Sequence, residues 1–132
     1  MARITQPPLV HLDTHVVAWL YDGLVDMLSP AASTSIEEGR LFVSPMVELE
    51  LTLLRQIGRI RPQPSAVLSA LGRDVGLQMS EISFRDTIAH AKGLDWTRDP
   101  FDRVIVGESL AAGAVLVTKD RSILANCSTA VW

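Results

Sequence analysis

Apolar residues fall along this chain in short runs, separated by Ser-Pro, Gly and Asp punctuation. "LVHLD" (Leu9 to Asp13) predicts a short buried strand. "THVVAWLYDG" carries apolar residues at Val16, Val17, Trp19 and Leu20, which predicts a helix stopped at Gly23. Ser29-Pro30 and Ser44-Pro45 repeat one arrangement, a capping serine followed by proline at the first helical position. Helices are expected after each, one ending at Gly39 and one running through "MVELELTLLRQIG" to near Gly58, with "RLFVSP" as a second strand between them. "RPQPSAVLSALGRDVG" predicts a loop and a short helix, and "LQMSEIS" a third strand. Ser83 to Asp86 reads SFRD, a capping-box pattern that opens the helix "FRDTIAHAKGL". "DPFD" opens a further helix, "PFDRVIVGESLAA", which Gly113 closes. "AVLVTKD" predicts a strand, "RSIL" a turn of helix and "STAVW" a terminal strand.

Strands and helices in alternation imply a parallel sheet covered by helices on both faces, an α/β fold of three-layer α/β/α type. No repeat, low-complexity tract or linker interrupts the pattern, so residues 1–132 are expected to form a single domain. A chain of this length buries roughly two-thirds of its unfolded surface. Hydrophobic residues make up 48% and aromatics only 5%, and this aliphatic richness suits strands buried on both faces.

Several function classes drop out. No apolar run reaches the roughly 18 residues of a membrane span. "MARITQPPLV" has no apolar h-region, so no signal peptide is expected. The single cysteine, Cys127, excludes an internal disulfide and a cysteine-based zinc site, and a cytoplasmic setting is expected. A net charge of −3 argues against a module that binds nucleic acid through a basic face, though not against an enzyme that touches it briefly.

The candidate chemistry lies in the acids. Asp13 ends the first strand, Asp120 ends "AVLVTKD", and Asp102 falls in the first turn of the helix that Asp99 precedes. Each has an ordinary explanation. Asp13 and Asp99 can cap helices, Asp102 can complement a helix dipole, and Asp120 can stand on a loop tip. Glu48 lies past the capping-box position counted from Ser44, among apolar neighbours. Glu48 and Glu50 cannot share a helix face, and the pattern leaves open which one turns inward. In parallel sheets ligands bind outside the carboxyl ends of the strands, where these acids would gather. Carboxylates crowded there repel unless a divalent cation holds them, and hard oxygen ligands select Mg²⁺ or Mn²⁺. Such an ion can activate water and polarise a phosphoryl oxygen, which is nuclease chemistry. His11, His15 and His90 lack metal-site spacing and are expected to be structural or surface residues. The absence of a GxxxxGK[ST] loop argues against nucleoside-triphosphate hydrolysis.

At these residues the sequence resembles the PIN-domain ribonucleases, specifically VapC-type toxins of bacterial toxin–antitoxin pairs. The resemblance rests on "LDTHVVAWL", "VSPMVELEL", "RDPFDRVIVGESLAAG" and "LVTKD", in order along almost the whole chain. It implies a Mg²⁺- or Mn²⁺-dependent endoribonuclease with Asp13, Glu48, Asp102 and Asp120 as the acidic set and Asp99 as an accessory acid. It also implies Thr14 and Thr118 as hydroxyl residues that support the carboxylates, a homodimer, and a cognate VapB-type antitoxin that covers the cleft. Two departures stand out. Val47 precedes the glutamate where many relatives carry Trp, which keeps Glu50 in play beside Glu48. Gly107-Glu108 replaces the more usual Ala-Gln, a change expected to bear on dimer packing.

Arg98, Arg103, Lys119 and Arg121 flank the expected cleft as candidate RNA-phosphate contacts or as ordinary solvated charges. Trp19, Trp96 and Trp132 are expected in the core or at a dimer contact rather than stacked on bases. Two competing readings are a receiver-like phosphoacceptor domain, which needs adjacent acids after the first strand where this chain has Asp13 alone, and a non-catalytic PIN-fold protein-binding module.

Overall fold

The computed structural model describes residues 6–132; residues 1–5, part of the opening stretch considered above, lie outside them. Five short strands form one sheet: β1 (Leu9–Leu12), β2 (Arg40–Val43), β3 (Gln78–Met79), β4 (Val115–Val117) and β5 (Ala130–Val131). Their order is β3-β2-β1-β4-β5, and every pairing is parallel. Between them run α1 (Thr14–Tyr21), α2 (Pro30–Glu38), α3 (Pro45–Gln56), α4 (Pro64–Val75), α5 (Phe84–Ala91), α6 (Pro100–Ala111) and α7 (Arg121–Asn126). Among the described residues, no helix is long and apolar enough to cross a membrane.

Successive residues of a strand point to opposite faces. Val10, His11 and Leu12 of β1 are all buried, as are Leu116 and Val117 of β4 and Thr118 just after it. Both faces of the central strands are therefore covered, which gives the three layers expected from the aliphatic runs. The cost falls on His11. Burial leaves its Nδ1 without a hydrogen-bond partner and lowers its pKa to about 4, so the ring is neutral at physiological pH.

Capping chemistry follows the sequence closely. The hydroxyls of Ser29, Ser44 and Ser83 accept from the backbone N–H groups of Ala32, Met46 and Asp86. The "RPQPSAVLSALGRDVG" segment forms a helix of 12 residues, longer than expected. Val67 and Leu71, one turn apart, are buried and hold it down, and Gly76 ends it in the left-handed conformation (φ 73°). "LQMSEIS" contributes only two residues of strand, both exposed at the sheet edge. Short edge strands of this kind limit edge-to-edge pairing between molecules.

Two residues of α6 set how tightly the helices close. At Gly107 an added Cβ would stand 2.9 Å from the Ala91 nitrogen and 2.9 Å from the Thr87 carbonyl oxygen, both backbone atoms of α5. Glycine is what permits α5 and α6 to approach this closely. Beside it, Glu108 is buried and accepts a hydrogen bond from the Ser44 hydroxyl (3.0 Å), tying α6 to the start of α3. Burial pushes the Glu108 carboxyl above the usual range, opposed by hydrogen bonds from Ser80 and Ser44. Gly107 and Glu108 thus serve packing inside the chain. Replacement of Gly107 by Ala is expected to lower stability by about 1–3 kcal/mol, since only backbone movement can relieve the overlap. Chemical denaturation of native chain and variant would measure the loss.

Candidate metal centre at the strand reversal

The chain leaves β1 for β2 and β3 on one side of the sheet, then crosses back to β4 and β5 on the other. The strand order therefore reverses between β1 and β4, and a crevice opens there beyond the carboxyl ends of both. Asp13 follows β1 directly, and Thr118 and Asp120 follow β4. The first turn of α6 brings Asp102 to the same place, with Asp99 as its N-cap, and α3 brings a glutamate. The resulting cavity, of about 350 Å³, is lined by Asp13, Glu50, Asp99, Asp102 and Asp120 together with His15, Trp19 and Lys119.

Two threonines hold the inner carboxylates. The backbone N–H of Thr14 donates to Asp13 Oδ1 (2.8 Å), and the Thr118 hydroxyl donates to Asp13 Oδ2 (2.6 Å). The Thr14 hydroxyl donates to Glu50 Oε1. Thr118 Oγ1 also accepts from the Asp120 backbone N–H (3.0 Å). Each oxygen of Asp13 thus has one partner, and an ionised carboxylate has about four acceptor sites in all. Lone pairs remain for an ion. Asp99 and Asp120 divide their oxygens differently: Asp99 Oδ1 caps α6 through Phe101 N–H, and Asp120 Oδ1 caps α7 through Ile123 N–H. Capping and cavity lining coexist in both. For Asp120 capping went unforeseen, because "RSIL" reads as a single weak turn.

The electrostatics are those of crowded like charges. Burial, then the charges of Asp99, Asp120, Asp13 and Glu50, pushes the Asp102 carboxyl up to about 7. Burial raises Asp13 against the lowering effect of the Thr118 and Thr14 hydrogen bonds, and it raises Glu50 against the Thr14 bond. Lys119 is the one lysine or arginine among the lining residues. A hard divalent cation suits this donor set: five carboxylates, no thiol, and too little positive charge nearby. Among the described residues, no group of three or more His, Cys, Asp or Glu side chains stands in a ready-made ligand arrangement. The acids share a cavity wall without being closed around a point.

The structure separates the two glutamates that the helical pattern left open. Glu48 does not line the cavity, whereas Glu50 does. The Glu48 backbone carbonyl accepts from the Thr52 hydroxyl (2.8 Å). Of the four candidate cations, Lys119 lines the cavity. Arg103 is committed elsewhere, donating through Nε to the Thr97 carbonyl (2.7 Å) and so bracing the loop before α6. Arg98 and Arg121 are exposed and stand outside the cavity wall. His11 is buried and His90 exposed, as expected. His15, also exposed, lines the cavity, a placement its spacing to other histidines did not disclose. Trp96 and Trp132 pack against the core as expected, while Trp19 lines the cavity instead.

No protein-family model matches the chain, and no curated protein matches it in sequence. Solved structures do. The chain is similar to one in the crystal structure of VapBC2 from Rickettsia felis bound to a DNA fragment from its promoter, with a TM-score of 0.59 and 16% identity over 90% of this chain and 93% of that one. It is similar also to one in the structure of VapBC-1 from nontypeable Haemophilus influenzae, with a TM-score of 0.58 and 17% identity over 94% and 96% of the two chains. At these identities the likeness speaks for architecture. With its five-stranded parallel sheet, its helices on both faces and its order β3-β2-β1-β4-β5, the chain has the PIN-like α/β fold.

Proposed function

We propose that this chain is a Mg²⁺- or Mn²⁺-dependent endoribonuclease, the toxin of a type II toxin–antitoxin pair, restrained by a VapB-type antitoxin. In this reading residues 1–132 act as one PIN domain in the cytoplasm, as a homodimer. The observation that carries the reading is the convergence of Asp13, Glu50, Asp99, Asp102 and Asp120 on one cavity at the strand reversal. The VapBC complexes that share the fold favour the toxin–antitoxin assignment.

Asp13, Glu50, Asp102 and Asp120 would hold the ion through carboxylate oxygens, with Asp99 at the margin. Bound there, a divalent cation supplies water activation at neutral pH and stabilisation of phosphoryl charge, for in-line hydrolysis of a phosphodiester. Thr14 and Thr118 orient Asp13 and Glu50 toward the site before substrate arrives. Lys119 offers a cation at the mouth where the RNA backbone would enter. The receiver-like alternative fits less well. Receiver domains follow the order 2-1-3-4-5, and here β1 lies between β2 and β4. The binding-module alternative leaves the crowded acids without a purpose.

Three measurements bear on this reading. Asp13→Asn and Asp102→Asn should each abolish RNA cleavage with the fold intact by circular dichroism; full activity in either folded variant would count against the scheme. Glu50→Gln should lower kcat by about a hundredfold or more, an effect worth several kcal/mol of charge stabilisation. Glu48→Gln should stay close to native, and the reverse ranking would restore Glu48 to the site. The third concerns pH. The Asp102 carboxyl titrates near 7 in the folded chain against an ordinary 3.8, so the folded state holds a proton that the unfolded state has already released. Metal-free stability should therefore fall as pH rises from about 4 to about 7 and level off above that. Asp102→Asn should remove much of that fall, the remainder coming from Asp13 and Glu50. Melting temperatures in chelator across this range provide the check.

A further inference from the structure

We propose that Trp19, with Lys119 and Trp132 beside it, forms a nucleobase-stacking subsite at the rim of the carboxylate cavity. The inference rests on the ribonuclease reading above and adds to it where the base next to the scissile phosphate sits.

Three features of Trp19 carry the argument. First, it is the exception among the tryptophans. All three are half-buried, but Trp96 and Trp132 pack against the hydrophobic core, whereas Trp19 lines the acidic cavity. An indole beside four aspartates and a glutamate forgoes burial worth about 25 cal/mol for every Å² of apolar surface. Second, its ring belongs to an aromatic wall. The Trp132 ring centroid lies 5.8 Å away, tilted by 55°, and the His15 ring lies 6.2 Å away, tilted by 48°. Third, Lys119 bridges the wall and the cavity. Its Nζ stands 5.7 Å from the Trp19 centroid and 5.9 Å from that of Trp132. Cation–π attraction to two rings holds the ammonium at the cavity mouth before substrate binds.

A ligand suited to this rim presents an anion to Lys119 and a flat π-surface to Trp19, next to a group that tolerates a ring of carboxylates holding a cation. A nucleotide within a single-stranded RNA has all of these, with its phosphate toward the cavity and its base toward the indole. A peptide could offer either an acidic or an aromatic side chain, but its own carboxylates would meet the five carboxylates that line the cavity. Stacking reads the face of a base and not its hydrogen-bonding edge, so the subsite would favour strongly stacking purines without demanding one base.

The test uses the full chain with Mn²⁺ and a random-sequence pool of single-stranded RNA, with product ends sequenced. Trp19→Leu keeps an apolar side chain without a π-face, and Trp19→Phe keeps a smaller ring. Trp19→Leu should raise KM about tenfold while kcat changes little, and should flatten the base preference at one position beside the cut. Trp19→Phe should recover most of both. A folded Trp19→Leu variant with native KM and native end preference would overturn the subsite while leaving the ribonuclease reading intact, and the rim would then fall to a protein partner. Unfolding of Trp19→Leu would assign the ring to the fold and overturn it equally. If the native chain cleaves no RNA in the pool, the ribonuclease reading fails, and the subsite with it.

Discussion

Mutual repulsion among crowded carboxylates is the constraint around which this molecule is arranged. Five acids from two helices and two strand ends share one cavity, and burial together with the charges of the other four pushes Asp102 up to about 7. Such a grouping opposes folding unless something holds it. Part of the restraint is visible in the hydrogen bonds. Asp13, the most deeply placed acid, takes one donor on each oxygen, from the Thr14 backbone and the Thr118 hydroxyl. The first bond is local to the start of α1, and the second, from the end of β4, also joins the halves of the sheet across its reversal.

The rest of the scaffold keeps that reversal tight. β1 and β4 are the central strands, covered on both faces by aliphatic side chains, which leaves little freedom at the points from which Asp13 and Asp120 emerge. Asp102 depends on the seating of α6. Gly107 lets α6 settle against α5 at backbone distance, and the Ser44–Glu108 hydrogen bond ties it to the start of α3. Arg103 braces the loop in front of Asp99 through the Thr97 carbonyl. A displacement in any of these contacts would move a carboxylate in the cavity, although none of them touches it.

Much of this was legible from residue order. Ser-Pro pairs, SFRD and DPFD mark helix starts because an oxygen acceptor and a pre-set proline φ act locally, and the hydrogen bonds at Ser29, Ser44, Ser83 and Asp99 follow. Lengths were less readable. Strand ends depend on where a neighbouring strand stops pairing, so "AVLVTKD" contributes three residues to the ladder and "LQMSEIS" two. The extent of α4 was missed because its small, serine-containing sequence buries only Pro64, Val67 and Leu71.

The choice between Glu48 and Glu50 marks the boundary between the two kinds of knowledge. Val47 and Leu51 define the buried face of α3, and at about 100° per residue the two glutamates lie about 80° to either side of its midline. Helical periodicity treats them alike. Only the docking of α3, which places one flank toward Thr14 and the cavity, separates them. The same holds for Trp19, whose place in a helix was evident but whose neighbours across the cavity were not. By itself the sequence determined the alternation of elements, the caps and the acids at strand ends, because these arise from contacts within a few residues. Tertiary structure alone decided which side chains meet, because that depends on how separate elements rotate and pack against one another.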